Sequence, residues 1–137
     1  MRRFLSWSLW DRMKSSGMES YQRGREGERR AAEYLSQQGY EILFKNWRTR
    51  TGEIDIIAFK EPFLVFVEVK TFPHGDVAML EQVLGEIKRK RIIETAKYFV
   101  HTVRQYSNSY MRFDVLIVDM PGLPPLYHIE NAFSENS

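Results

Sequence analysis

The chain has 137 residues, which is enough for one domain with a real core and too few for two comfortable ones. A hydrophobic content of 43% and an aromatic content of 14% exclude a disordered chain, and the net charge of +2 shows no gross bias toward a nucleic-acid partner. The absence of cysteine excludes disulfides and thiolate metal sites, and no apolar run approaches membrane-spanning length. We therefore expect a cytoplasmic protein without a membrane segment.

The first 20 residues are predicted to form an aromatic extension, possessing at most a short helix, in front of a single domain at 21–133. Aromatic residues recur at every third position, which favours one face of a helix: Phe4, Trp7 and Trp10. Docking of this face on the domain is the default interpretation, and binding to a partner or to a membrane surface are the alternatives. Serines and a glycine at 15–17 then indicate a linker.

A helix is expected from about residue 21 to residue 38, with Gly39 as its stop signal. Glu28 lies on the inward, apolar stripe of this helix. Gly24 and Gly27 lie on or beside the stripe, and each costs about 1 kcal/mol relative to alanine. We therefore expect this part of the helix to pack closely against another backbone. Glu28 is either a functional acid or a structural one. A structural acid would interact favourably with the N-terminal end of the helix dipole or pair with an arginine.

Two apolar strands at 53–60 and 63–70 are predicted to form a central hairpin that is buried on both faces. A four-residue loop is more plausible than a two-residue one, because proline cannot adopt the positive φ that primed turns favour. Both loops share one centre, so Asp55 faces Glu68 with Cβ atoms about 5 Å apart. Two carboxylates at that distance need a cation between them or a proton on one of them.

The same register places Glu53 opposite Lys70, on the face that carries Asp55 and Glu68. Glu53 is interpreted as a residue that neutralises Lys70 or a nearby arginine. This clustering depends on the turn, since a one-residue slip of the register would move every side chain to the other face.

The other elements complete the order helix, strand, hairpin, helix, strand, strand, which indicates an α/β fold. Strands are expected at 40–44, 110–119 and 126–132, and helical periodicity at 77–106 indicates one helix or two. Residues 45–50 are expected to form a loop or a strand end, and loops are expected at 71–76 and 121–125. Lys88 lies at the edge of the apolar stripe, so it points either to the carboxylates or outward, and the outward direction is the commoner one. Arg112 and Asp114 are interpreted as a structural pair that serves the hairpin.

The chemistry of these side chains favours phosphodiester hydrolysis. Carboxylates clustered with the inward Glu28 would form a hard, oxygen-rich site for Mg²⁺ or Mn²⁺. A lysine two residues from a ligand can polarise a water, and the metal would lower the pKa of that water and clamp a phosphate oxygen. No competing nucleophile constellation or Gly-rich loop is present, and the three histidines form no ligand spacing: His74, His101 and His128.

Taken in order, the motifs resemble the YraN family of small bacterial proteins, which are assigned to the PD-(D/E)XK nuclease superfamily. The motifs are Gly24-x-x-Gly27-Glu28, GEID ending at Asp55, FVEVK with Glu68 and Lys70, Lys88-x-x-Arg91, and RFD at 112–114. They cover residues 21–119 in the family's order, and the set is more specific than any single motif. Ile54 stands where the superfamily name has proline, which removes no ligand.

The resemblance implies a restriction-endonuclease-like fold, a mixed sheet of four to five strands flanked by helices, similar to archaeal Holliday-junction resolvases. Asp55 and Glu68 would then bind the metal together with the backbone carbonyl of Val69. Lys70 would be the catalytic lysine, and Glu28 would orient a metal-bound water or a second metal ion.

The expected function is that of a Mg²⁺-dependent nuclease acting on DNA, including branched or damaged DNA, with no small-molecule cofactor. Basic residues near the predicted site are the candidates for DNA contact: Arg48, Arg50, Lys88 and Arg91. Resolution of a junction would require two active sites and hence a homodimer. The alternative is a non-catalytic protein that keeps the fold for nucleic-acid or protein binding. A purely structural charge cluster is disfavoured, because it would leave net negative charge partly buried.

Overall fold

The described residues form one five-stranded mixed sheet with an α-helix on each face. The computed structural model describes residues 9–72 and 85–135, with side-chain detail from residue 21 onward and none for residues 86 and 87. The elements are α1 Leu9–Gln37, β1 Glu41–Arg48, β2 Glu53–Lys60, β3 Phe63–Thr71, α2 Glu86–Thr102, a 3-10 turn Arg104–Tyr106, β4 Tyr110–Val118 and β5 Leu126–Phe133. The predicted α/β class is confirmed, and the architecture is consistent with a restriction-endonuclease-like fold.

The strands lie in the order β1-β2-β3-β4-β5. Only β3 and β4 pair in parallel, and the other neighbours are antiparallel. A parallel pair needs a long crossover connection, and α2 lies within the connection between β3 and β4. Each predicted strand is confirmed, and β1 continues to Arg48, so residues 45–48 form the strand end that was one of the two expectations for 45–50.

The sheet is buried on both faces, as the apolar runs in its central strands predict. Alternate residues of β2, β3 and β4 point to opposite faces. On the α1 face the core contains Leu35, Ile56, Val65, Val67 and Leu116. On the α2 face it contains Ile57, Leu64, Phe66, Phe99 and Ile117. Phe66 and Glu68 are two residues apart on β3, so the candidate acid continues the row that faces α2.

The β2–β3 turn is the two-residue loop Glu61–Pro62, since Lys60 pairs directly with Phe63. The preferred four-residue loop is therefore wrong. The Glu61–Pro62 peptide bond is cis. The predicted register is nevertheless confirmed, with Ile56 opposite Val67, because the two loops share one centre.

Helix α1 begins at Leu9 and runs unbroken through residues 15–17. The linker predicted there is wrong, because a helix that is already propagating tolerates single residues of low propensity. The C-terminal end agrees with the prediction. The helix ends at Gln37, Gly39 has a φ of 93°, and the Tyr40 N–H donates to the Leu35 carbonyl at 3.0 Å.

Part of the predicted structure lies outside the described residues. This applies to loop residues 73–76, to the periodic stretch 77–84, and to the side chains of Phe4, Trp7 and Trp10. From Glu86 onward α2 is a single helix that passes into the 3-10 turn. Within the described part of the chain, neither helix combines the length and the apolar character needed to cross a membrane.

Candidate metal centre at the open end of the hairpin

Asp55 interrupts the backbone ladder of the central hairpin. Regular pairing of β2 and β3 ends at Ile56 and Val67, and the next hydrogen-bonded pair of the ladder would join Ile54 to Val69. Instead, the Val69 N–H donates to Asp55 Oδ2 at 2.8 Å. The N–H and C=O of a strand residue point to the same side, so the Val69 carbonyl faces the same opening. The hairpin end thus presents a carboxylate and a backbone carbonyl together.

Asp55 and Glu68 form a carboxylate pair at this opening, as the predicted register requires. Glu68 is only 7% exposed and Asp55 is partly buried. Burial, followed by the charge of Glu68, raises the pKa of Asp55 to about 8, although the Val69 hydrogen bond acts in the opposite direction. In the absence of a cation Asp55 therefore holds a proton near neutral pH.

Lys88 reaches the carboxylate pair from the first turn of α2. Its Nζ lies 2.5 Å from Glu68 Oε2, although the lysine side chain itself remains 43% exposed. Burial alone would lower the pKa of Lys88, but the hydrogen bond to Glu68 and the charges of Glu68 and Asp55 raise it. Of the two directions considered for Lys88, the less common one, toward the carboxylates, is therefore observed.

Lys70 completes the centre from strand β3. It follows Glu68 by two residues, which places both on one face of the strand. Lys70 is partly buried near the end of this strand. A cleft of about 480 Å³ opens over the group, and Glu53 and Arg91 also line it. Asp55, Glu68 and Lys88, from three elements, thus line one cleft, and Lys70 lies two residues beyond Glu68 on the same strand.

Glu53 forms an ion pair with a residue of the neighbouring strand β1. Its carboxylate accepts a hydrogen bond from Arg48 Nε at 2.9 Å, and the two form an ion pair. The interpretation that Glu53 neutralises a nearby arginine is therefore confirmed, and the arginine is Arg48.

Glu28 stands apart from the carboxylate pair. With its amide oriented to satisfy both neighbours, Asn46 donates to Glu28 Oε1 at 3.2 Å and accepts from Arg25 Nη1 at 3.2 Å. Burial raises the pKa of Glu28, and the charges of Glu53 and Glu68 contribute in the same direction. No three His, Asp or Glu side chains within the described ranges form a metal-binding group. Glu28 therefore acts on Asp55 and Glu68 through its charge, and the three acids do not form one metal-binding group among the described residues.

The position of α1 beside the centre depends on Gly27. A Cβ atom at Gly27 would overlap the buried hydroxyl of Thr71, the residue that follows Lys70. Close packing is confirmed for Gly27, but against the side chains of Thr71 and Val118 rather than against a backbone. It is wrong for Gly24, because nothing lies within 4 Å of a Cβ atom there. Close contact at Gly27 brings the adjacent Glu28 toward the end of the sheet that carries the centre.

The candidate DNA contacts divide between two clefts. Lys88 and Arg91 line the cleft that holds the carboxylates. Arg48 and Arg50 line a second cleft of about 550 Å³ together with the aromatic rings of Trp47 and Tyr98. Neither ring is among the contacts predicted from the sequence, although Trp47 lies among basic residues in the segment KNWRTR.

Arg112 and Asp114 form the predicted structural pair, away from the metal centre. Arg112 donates to both carboxylate oxygens at 2.9 and 2.8 Å, and His128 Nε2 lies 2.7 Å from Asp114 Oδ2. Burial alone would raise the pKa of Asp114, but the hydrogen bonds from His128 and Arg112 lower it. The Asn131 N–H also donates to Asp114, at 3.0 Å. The pair therefore secures β5 rather than the hairpin.

The donor set at the hairpin end fits a hard divalent cation. Mg²⁺ is commonly held by one or two carboxylates, with waters and a substrate phosphate in the remaining positions. Asp55 and Glu68 supply the carboxylates, and the Val69 carbonyl faces the same opening. No imidazole or thiolate belongs to this described group, so the donors suit Mg²⁺ or Mn²⁺ better than Zn²⁺.

The fold and the centre together define an α/β protein with a carboxylate–lysine centre at the opened end of a central hairpin. Residues 27–118 match the model of the family described as "Uncharacterised protein family UPF0102". The chain belongs to this family, which is the YraN-like family that its motifs predict. The matched segment includes all four residues of the centre: Asp55, Glu68, Lys70 and Lys88.

Bacterial relatives align over most of the chain. A UPF0102 protein of Treponema denticola is 42% identical over 123 residues, covering 82% of this chain and 95% of the relative. One from Treponema pallidum (strain Nichols) is 47% identical over 113 residues, covering 80% and 90% respectively. One from Lachnoclostridium phytofermentans is 44% identical over 91 residues, covering 66% and 77%.

Proposed function

We propose that this protein is a divalent-metal-dependent nuclease that hydrolyses phosphodiester bonds in DNA. The observation that carries the proposal is the opened hairpin end, where Asp55 and Glu68 face each other beside Lys70 and Lys88. Membership of the PD-(D/E)XK superfamily is part of the same proposal, and it rests on the ordered motifs.

Asp55, Glu68 and the Val69 carbonyl would hold Mg²⁺ or Mn²⁺. When bound, such an ion neutralises a phosphate oxygen and lowers the pKa of a bound water. Asp55 would then be ionised, and the proton that it holds in the metal-free protein would be released. The Val69 N–H fixes one oxygen of Asp55, so the other oxygen is the one available to a ligand.

Lys70 would be the catalytic lysine. From its place on β3 it can hold the attacking water or stabilise the charge that develops on the phosphate oxygens. Lys88 already binds Glu68, so its ammonium would neutralise the carboxylate pair before a cation arrives and then become available to phosphate. Glu28, whose charge acts on Asp55, would orient a metal-bound water or a second metal ion.

Cleavage of a panel of linear, flapped and four-way DNA tests the proposal. We expect Glu68→Gln and Lys70→Met each to lower the rate by at least about 100-fold. Glu94→Gln is the matched control, because Glu94 is exposed on the α2 helix that carries Lys88, and it should cleave like the wild type.

Two outcomes would count against catalysis at this centre. Cleavage that survives both Glu68→Gln and Lys70→Met would arise from another site or from a contaminant. A wild-type protein that binds DNA but cleaves none of the panel in Mg²⁺ or Mn²⁺ would instead support the non-catalytic binding protein considered from the sequence.

A further inference from the structure

The second cleft, beside the candidate metal centre, combines aromatic rings with arginines. It occupies about 550 Å³ between the end of β1, the β1–β2 loop and α2. Trp47, Arg48 and Arg50 come from the strand end and loop, and Tyr98 comes from the helix. Neither Trp47 nor Tyr98 belongs to the candidate metal centre, so the function proposed for that centre does not account for this cleft.

This cleft is contiguous with the candidate metal centre. Thr51 lines the aromatic cleft and the next residue, Gly52, lines the cleft with the carboxylates. Adjacent Cα atoms are about 3.8 Å apart, so the clefts share one wall. That wall is held in place, because Thr51 Oγ1 lies 2.9 Å from Thr95 Oγ1, and Thr95 donates to the Arg91 carbonyl at 2.7 Å.

The two rings differ in how they are held. Trp47 packs edge to face against the buried Phe99, with centroids 5.1 Å apart. Tyr98 lies 6.1 Å from Trp47, and its side chain is 54% exposed. Trp47 is therefore a fixed wall of the cleft, whereas Tyr98 offers an open ring face. A flat, apolar group can stack on such a face without displacing the core.

The charge beside these rings favours an anionic ligand. Arg48 is paired with Glu53. Arg50 is exposed, and it has no ion pair within the part of the chain that the structure describes. An exposed ring next to an unpaired arginine matches the two requirements for binding single-stranded nucleic acid, a stacking surface for the base and a cation for the phosphate.

We propose that this cleft binds an unpaired nucleobase of the DNA substrate, stacked on Tyr98 with a neighbouring phosphate at Arg50. The inference rests on the proposed function and adds a substrate class to it. A base inside a duplex has both faces covered by its neighbours, so only single-stranded or branched DNA can present one. The shared wall then places a phosphate of the same strand at the carboxylates.

Binding without cleavage tests this inference. We would measure the fluorescence anisotropy of a labelled oligothymidylate and of a matched blunt duplex in EDTA, so that the result does not depend on activity. Tyr98→Ala and Arg50→Ala should each weaken single-strand binding by roughly 5- to 100-fold, and Tyr98→Ala should leave duplex binding unchanged. Tyr110→Ala is the matched control, since Tyr110 is 68% exposed at the start of β4, and it should bind like the wild type.

Three outcomes would overturn the proposed base site. They are wild-type binding that does not favour the single strand, an equal loss on both ligands in Tyr98→Ala, and full affinity in Tyr98→Ala. Circular-dichroism melting excludes misfolding, and Tyr98→Phe, which keeps the ring, should restore binding if stacking is responsible. Because every binding measurement is metal-free, loss of the base site and loss of the proposed nuclease function are read out separately.

Discussion

The Asp55 carboxylate accepts the Val69 backbone N–H at 2.8 Å, in the position where a backbone carbonyl of the neighbouring strand would act in a regular ladder. Because the Asp55 carboxylate takes the place of a backbone carbonyl as the acceptor, the two strands of the hairpin separate at this end. It also explains how an acid can lie within an apolar strand, because part of its lost hydration is replaced by a backbone donor. The same opening exposes the Val69 carbonyl and brings Asp55 next to Glu68.

Lys88→Met should destabilise the metal-free protein and enlarge its response to metal. Removal of the ammonium leaves Glu68, which is 7% exposed, without its partner. The expected loss is about 1–3 kcal/mol, because Lys88 itself is half-exposed and water moderates the effect. A divalent cation would replace the missing charge, so saturating Mn²⁺ should raise the melting temperature by more in Lys88→Met than in the wild type.

Lys97→Met is the control for that experiment. Lys97 pairs with Glu135, and both side chains are more than half exposed, so its loss should change stability by less than about 1 kcal/mol. Its response to Mn²⁺ should equal that of the wild type. If Mn²⁺ raises the melting temperature of Lys88→Met no more than that of Lys97→Met, the Lys88 ammonium does not stand in for a divalent metal ion.

The metal-free protein should lose stability as the pH rises toward 8. The pKa of Asp55 is raised from 3.8 to about 8, so the folded state binds more protons than the unfolded state between these values. This contribution to stability is fully present below about pH 4 and is lost as the pH rises through about 8. Urea unfolding of the wild type and Asp55→Asn isolates it, since the difference between their free energies of unfolding should fall between about pH 5 and pH 8.

The same titration predicts the pH dependence of metal binding. A cation competes with the proton on the carboxylate pair, so the affinity for Mn²⁺ should rise about tenfold per pH unit below about pH 8. Calorimetric titration at several pH values would measure this slope. An affinity that does not change with pH in this range, together with a constant difference in the unfolding experiment, would show that Asp55 is ionised in the metal-free protein.

Replacement by alanine should change the free energy of unfolding in opposite directions at two glycines of α1 that lie one turn apart. Gly27→Ala forces a methyl group against the buried Thr71 hydroxyl, and overpacking of this kind costs about 1–3 kcal/mol. Gly24→Ala meets nothing within 4 Å and should stabilise the helix by about 0.5–1 kcal/mol. Urea unfolding of both variants measures the two effects, and a Gly27→Ala protein as stable as the wild type would contradict the close contact of α1 with β3.

The hairpin could be predicted because its register follows from local rules. Two apolar runs around one turn centre leave a single pairing, so Asp55 meets Glu68 whichever loop forms. The two-residue loop was not predicted, because proline cannot adopt the positive φ that primed turns favour. The propagation of α1 through residues 15–17 was also missed, because breaker residues are a weak signal within a long helix.

The direction of Lys88 and the meeting of Trp47 with Tyr98 could not be predicted from spacing. Lys88 lies at the edge of the apolar stripe of α2. A small rotation of this helix therefore decides whether the Lys88 side chain points to the carboxylates or to solvent. Trp47 and Tyr98 are far apart in the chain and meet only because α2 packs across the β1 side of the sheet. Both relationships depend on tertiary packing rather than on local pattern.

The central claim, that Asp55 and Glu68 bind a divalent cation, is tested most directly by thermal unfolding with increasing Mn²⁺. A ligand that binds only the folded state stabilises it by about 2.7 kcal/mol at 100 times its dissociation constant. We predict a rise in the melting temperature of the wild type that Glu68→Gln abolishes. Asp114→Asn should retain this rise, because Asp114 is a buried acid bound to Arg112 and His128 away from the centre. A wild-type melting temperature that does not change with millimolar Mn²⁺, or a rise that persists in Glu68→Gln, would contradict the claim.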